Sequence, residues 1–214
     1  AVEPHTRLLL GPEYALLREQ FEHPPSKNIP REHLLVVMGG GYARGEAVKV
    51  LEALLILEPS ALQKLKPYVV LGAGYPNPQE VIDKYGSDSI TVLYNVESLR
   101  ELMGKTVFAV SGAGGILYEL ARMGVPAIVI VLDNNQVLIA EYFQKAGIAQ
   151  NLGWYEDVTS EMITEGIQIW LRSPEHIETM RKKVEKLTDG FGADRVVNII
   201  LSSLANRNVK AGIR

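Results

Sequence analysis

Cysteine is absent from the chain. Disulfide frameworks, thiolate zinc sites and cysteine nucleophiles are therefore excluded, an absence compatible with a reducing, cytoplasmic setting. A strong charge of one sign is also lacking: the formal net charge of −3 exerts no general pull on nucleic acid or anionic lipid. No apolar run approaches the roughly 18 residues of a membrane span. The opening "AVEPHTRLLLGPEY" has neither a basic leader region nor a long apolar stretch, so it does not read as a signal peptide. It has no initiating methionine, and the chain is expected to be a piece of a longer protein. Internal repeats and low-complexity blocks are missing. The four histidines (His5, His23, His33, His176) lack metal-ligand spacing. What remains is ordinary globular material: 214 residues, 47% hydrophobic and 22% charged, enough to build a core without covalent staples.

Short apolar runs alternate with helical periodicity. Strands are expected at Arg7–Leu10, Leu34–Met38, Tyr68–Leu71, Ile90–Leu93, Val107–Val110 and Ala127–Val131, rich in Val, Ile and Leu as strands buried on both faces are. Helices are expected at Ala47–Leu57, Gln79–Tyr85, Val96–Met103, Ile116–Met123, Gln136–Ala146, Met162–Leu171 and Ala193–Leu204. Pro174 suits the first turn of another, with Ser173 as its cap. The alternation implies an α/β fold: one domain over 1–214, with a parallel sheet of about six strands and helices on both faces. "EHPPSKNIPRE" (Glu22–Glu32) is the one proline-rich loop and joins an opening segment to the main sheet. Parallel sheets bind ligands beyond the carboxyl ends of their strands. That directs attention to the loops after Met38, Leu71, Leu93 and Val110, three of them glycine-rich.

None of the glycine loops carries a familiar nucleotide fingerprint. "GGYARGE" (Gly40–Glu46) has the two glycines of a P-loop but ends in Glu46–Ala47 where lysine and a hydroxyl residue belong. "GAGYPN" (Gly72–Asn77) and "GAGGIL" (Gly112–Leu117) have Asn77 and Leu117 at the third glycine position of a dinucleotide loop. NAD and FAD are not expected. A plainer device remains at Ser111–Gly115, where side-chain-free amides at a helix start form an anion site. A tight turn with glycines for geometry alone fits the same spacing. Glu119, one turn further on, either accepts hydrogen bonds from sugar hydroxyls or complements the helix dipole. "LDNNQ" (Leu132–Gln136) either caps the next helix or grips sugar hydroxyls. Arg44 either meets a phosphate or is solvated. "RKKVEK" (Arg181–Lys186) reads as a solvated helix face, and Trp154 and Tyr155 as a packing anchor in a loop.

Taken together, these stretches resemble a known family. "LLLGPEYALLREQF" (Leu8–Phe21) is similar to the hinge that opens the C-terminal domain of the nucleotide-sugar hydrolases of pseudaminic acid biosynthesis and of the related spore-coat polysaccharide proteins. "VVMGGG" (Val36–Gly41) resembles the first glycine loop of that domain. "SGAGGILYELARMGVPAIVIVLDNNQ" (Ser111–Gln136) resembles its signature, and "DGFGADRVVNII" (Asp189–Ile200) its closing helix. The wider relatives are two-domain GT-B glycosyltransferases, including the enzyme that adds N-acetylglucosamine to lipid I.

The resemblance implies a Rossmann-like, doubly wound C-terminal half, with 1–33 as a hinge segment, that holds a nucleotide sugar, UDP-linked by expectation. It implies that Ser111, Gly112, Ala113, Gly114 and Gly115 face the diphosphate and that Glu119 takes the ribose hydroxyls. Asn135 and Gln136 would face the sugar, and Leu93 and Asn95 would lie against the base. Gly39, Gly40, Gly41 and Arg44 would complete the ligand-binding set. No cofactor and no metal is expected, because helix N-terminal amides take over charge stabilisation on the leaving group. The family often has Ser–Thr hydroxyls where this chain has Gly115 and Ile116. Each missing donor to a charged group costs about 1.5–3 kcal/mol.

The Gly-x-Gly-His loop of the hydrolases' N-terminal domain is missing here. A cleft enzyme needs both walls for positioning and water exclusion. The expected partner is therefore an N-terminal domain of the same parent, and the chain alone is expected to have negligible turnover. The parent reads as a UDP-sugar hydrolase or glycosyltransferase of surface-polysaccharide or nonulosonic-acid synthesis. The alternative is a non-catalytic assembly domain with a decayed pocket. Its partner surface would be the apolar face of the last helix (Val196, Val197, Ile200, Leu201), for which internal packing is the favoured account.

Overall fold

The computed structural model describes residues 6–23, 29–40 and 45–211, with side chains through 205. Six strands form one parallel sheet: β1 (His33–Val37), β2 (Tyr68–Leu71), β3 (Thr91–Tyr94), β4 (Thr106–Gly112), β5 (Ala127–Val131) and β6 (Ala149–Trp154), in the order β3-β2-β1-β4-β5-β6. This is the Rossmann-like, doubly wound α/β arrangement that the alternation implied. The central strands are continuous Val, Ile and Leu because neither face meets water. Successive side chains alternate: Leu34 and Val36 enter one core, Leu35 and Val37 the other.

On the first face lie α1 (Glu46–Ile56), α2 (Pro59–Leu65), α3 (Pro78–Tyr85) and α7 (Ser160–Arg172), packing Leu51, Leu54, Tyr85, Ile163 and Trp170 around Phe108. On the second lie α4 (Arg100–Gly104), α5 (Ile116–Arg122) and α6 (Val137–Lys145), contributing Met103, Leu117, Leu120 and Phe143. Helix α8 (Pro174–Val184) sends Ile177 and Met180 to the first core and Val184 to the second. Helix α9 (Gly192–Ala211) closes the chain. No helix among the described residues is long and apolar enough to cross a membrane.

Several expectations are corrected. Arg7–Leu10 is not a strand: Leu8 and Leu10 are exposed, and Gly11–Pro12 breaks the run before any sheet edge is reached. The sixth strand is β6 instead, whose sequence "AQNLGW" has no apolar run because it is an edge strand with only β5 beside it. Helix α2 was not anticipated. The Ser173 side chain makes no capping bond. Trp154 ends β6 rather than standing in a loop. Arg181 is not solvated: it turns inward and donates to the Gly124 and Val107 carbonyls at 2.8 and 2.9 Å. Beside it Arg31 donates to the carbonyls of Met103, Thr106 and Met123 at 2.8–3.2 Å. Burial, with Arg181 as a like charge, brings Arg31 down to about 10, so it stays a cation at neutral pH.

The apolar face of α9 is not packed internally. Only its first turn is anchored: a Cβ on Gly192 would lie 2.2 Å from the Ala15 carbonyl oxygen, so helix and segment touch backbone to backbone. Beyond that turn Val197, Ile200 and Leu201 are exposed and Val196 is half-buried. Arg195 secures the anchor, donating to Glu13 O at 3.0 Å and to both Asp189 carboxylate oxygens. The Arg195 hydrogen bond holds the Asp189 carboxyl well below its ordinary value of 3.8. A carboxylate made more acidic by folding stabilises the fold above its unfolded pKa, and the contribution fades as pH falls below it. Urea titrations of the chain and of Asp189→Asn should differ by a constant amount above about pH 5 and converge below pH 3.8. A difference that stays flat into the acid range would show that the ion pair does not anchor α9.

Candidate functional site

Three turns converge at the carboxyl ends of β1, β2 and β4. Gly39 follows β1 with φ 111°, a conformation that side chains rarely adopt. Gly72 follows β2 and lies against that turn: a Cβ there would sit 2.6 Å from Gly39 O and 2.7 Å from Gly40 Cα. This close approach lets the Gly74 N–H donate to Gly40 O at 3.1 Å. The turn after β4 differs. Gly115 has φ −56°, open to any residue, and a Cβ on it would meet nothing within 4 Å. At Gly114 the nearest atom would be Gln136 Nε2 at 3.8 Å. Geometry alone does not call for glycine at either position. The missing side chains leave room in a cleft of about 530 Å³.

That cleft is lined by Met38, Gly39 and Gly40 from the first turn, Gly72 and Ala73 from the second, and Gly112, Gly114 and Gly115 from the third. Asn95, Val96 and Leu99 form its apolar end beyond β3. Among the described residues, no acceptor pairs with the amides of Gly114, Gly115 or Ile116. Unclaimed donors on a concave wall suit an anion. The Ala113 N–H is not one of them, because it donates to Ile130 O at 3.2 Å and to Gln136 Oε1 at 3.1 Å. The same Gln136 oxygen accepts from Leu132 N at 3.0 Å. Two backbone donors on Oε1 fix the amide's orientation and leave Nε2 as the group toward Gly114.

Glu119 projects from α5 into the cleft and is not free. Arg18 grips it with a two-pronged contact, Nε to Oε1 and Nη2 to Oε2, both 2.9 Å. The Glu119 side chain is 13% exposed and that of Arg18 52%. One turn on, Arg122 donates to Phe21 O at 2.9 Å and to Glu22 O. Helix α5 therefore holds the 18–22 stretch at two points.

The structure brings together Gly39, Gly40, Asn95, Gly112, Gly114, Gly115, Glu119 and Gln136. Gly41 and Arg44 lie outside the described residues. Four expected residues stand elsewhere. Ser111 belongs to β4, so its side chain is fully buried and its Oγ donates to Gly112 O at 3.0 Å. Ala113 is buried. Leu93 is half-buried against the second core and is not among the residues that line the cleft. Asn135 is exposed outside the cleft, on the short 3-10 turn before α6. Arg18, Leu16, Gly72 and Val96 were missed. Arg18 lies in the quoted hinge stretch, but no local pattern ties it to an acid 101 positions away.

The two kinds of glycine predict different variants. Gly72→Ala should lose about 1–3 kcal/mol, since the new Cβ meets backbone that cannot yield cheaply. Gly115→Ala should stay within about 1 kcal/mol of the parent or gain slightly. Urea unfolding of both variants checks the contrast, and equal losses would contradict it.

With the geometry in place, comparisons with known proteins add the family. A curated relative is 29% identical over 194 residues, covering 86% of this chain and 51% of its own length: the UDP-N-acetylglucosamine--N-acetylmuramyl-(pentapeptide) pyrophosphoryl-undecaprenol N-acetylglucosamine transferase of Gloeothece citriformis (strain PCC 7424). Among solved structures the chain is similar to MurG of Acinetobacter baumannii, with TM-score 0.65 and 18% identity over 86% of this chain and 52% of that one. It is also similar to S. aureus MnaA in a co-structure with UDP, with TM-score 0.63 and 19% identity over 82% and 46%. At these identities the structural likeness is one of fold. The chain spans about half the length of these relatives. The Glycosyltransferase family 28 C-terminal domain profile matches residues 34–195, and the chain belongs to that family.

Proposed function

We propose that this chain is the nucleotide-sugar-binding half of a two-domain glycosyltransferase, with a UDP-sugar as ligand. One observation carries the reading: the unclaimed amides of Gly114, Gly115 and Ile116 share a single cleft with the Glu119 carboxylate. The diphosphate takes the amides, the ribose hydroxyls take Glu119, and the base lies toward Asn95, Val96 and Leu99. Gln136 Nε2 donates to the ligand near Gly114. The amides act on the charge that develops on the UDP leaving group as its bond to the sugar breaks. The acceptor site lies on a domain that precedes this one in the parent. Exposed Leu8, Leu10 and Leu16, with the bare face of α9, form the surface for that domain. The fold of this half alone does not set the acceptor. The resemblance of "LLLGPEYALLREQF" (Leu8–Phe21) to the hinge of the hydrolases supports a second reading in which water replaces the alcohol and the parent is a UDP-sugar hydrolase.

Calorimetric titration with UDP, CMP and ADP tests the proposal. UDP should bind most tightly, and Glu119→Ala should weaken it by at least about tenfold, the equivalent of one charged hydrogen bond. Binding by none of the three would overturn it. The chain by itself should release no UDP from UDP-N-acetylglucosamine above the buffer rate, measured by coupled UDP detection, because one wall of the cleft cannot exclude water. Turnover by the isolated chain would contradict the two-domain reading.

A further inference from the structure

The Arg18–Glu119 pair lines the cleft, and each member matches one half of the proposed ligand. Among the described residues Arg18 is the one cationic side chain lining the cleft, and Glu119 the one anionic. Their contact is two-pronged, 2.9 Å on each arm. The carboxylate is mostly buried while the guanidinium is half open to solvent, so Arg18 is the member free to move. Its Cζ rests 5.4 Å from the Phe21 ring, and Phe21 is buried, its backbone carbonyl held by Arg122. The side chain can therefore turn while the segment beneath it stays anchored.

A diphosphate carries more negative charge than a carboxylate and attracts the guanidinium more strongly. Removing Arg18 leaves the half-buried Glu119 carboxylate without the two donors that it holds, a loss that new donors make good. A vicinal diol supplies two such donors. We propose that the pair works as a partner exchange: Arg18 moves to the diphosphate as the pentose hydroxyls take Glu119. This inference rests on the nucleotide reading above and adds a specificity rule to it. A ligand with only the diol must displace an arginine that has nowhere to go. A ligand with only the diphosphate strips the Glu119 carboxylate of its two donors. Ribonucleoside diphosphates satisfy both groups, so the site selects for the two moieties in one molecule.

The exchange has a thermodynamic signature in the unmodified chain. Pyrophosphate should draw Arg18 away and free Glu119 for uridine. Uridine should then bind about tenfold more tightly with saturating pyrophosphate than without it, and pyrophosphate should gain by the same factor from uridine. In Arg18→Gln that coupling should vanish. Uridine alone should bind more tightly than to the parent and UDP more weakly, each by about tenfold. Opposite signs in one variant are not produced by a residue that merely props Glu119 in place. Calorimetry supplies the affinities, and thermal melting confirms that the variant folds. If Arg18→Gln does not fold, the coupling in the unmodified chain decides by itself. Independent binding of uridine and pyrophosphate, or UDP and uridine affinities moving together in the variant, overturns the exchange. In that case UDP binding that still requires Glu119 leaves the nucleotide reading standing. Absence of UDP binding by the unmodified chain removes both.

Discussion

Between β1 and β4 the crossovers leave the sheet for opposite faces: α1 follows β1 onto one side and α5 follows β4 onto the other. No helix can cover both strand ends, so a crevice opens there by topology. The position of the cleft is therefore a consequence of strand order rather than of any side chain. The glycine turns shape it. Gly72 must lie flush against Gly39 and Gly40 for the floor to close, whereas Gly114 and Gly115 leave their wall open. A glycine that nothing forces is the more informative kind, because the space it leaves has no structural use.

Electrostatics then divides the cleft. The amide donors of the β4 turn make one end receptive to anions. The half-buried Glu119 lines the same cleft, and Arg18 neutralises that carboxylate. Because Arg18 comes from the 6–23 segment, which also meets the first turn of α9, the ion pair lies where that segment reaches the cleft. The polar machinery thus depends on a contact between the start of the chain and its fifth helix.

Legibility followed the range of the interactions. Strands β1, β2, β4 and β5 were readable because burial on both faces leaves apolar runs, a local record of a global environment, and β3, an edge strand, kept a short apolar run of its own. β6 left no such record: it has only β5 beside it, and most of its residues are half-buried, with Gln150, Asn151 and Gly153 among them. The run at Arg7–Leu10 misled for the converse reason: apolar residues there are exposed rather than layered into the sheet. Gly39, Gly40, Gly114, Gly115 and Glu119 share one cleft, and loop position after a strand, combined with resemblance, grouped them without coordinates. Ser111, Ala113, Leu93 and Asn135 do not line the cleft, a difference that depends on burial and side-chain direction rather than on loop position.

By itself the sequence determined the fold class, the parallel sheet, and the strand ends at which the cleft opens, because hydrophobic periodicity and glycine spacing are local properties. Only the tertiary structure decided that Glu119 is held by Arg18, that Ser111 is buried, that Arg181 turns inward and that α9 stands bare. Each of these depends on groups far apart in the chain, and a pairing across 101 positions leaves no trace in either neighbourhood.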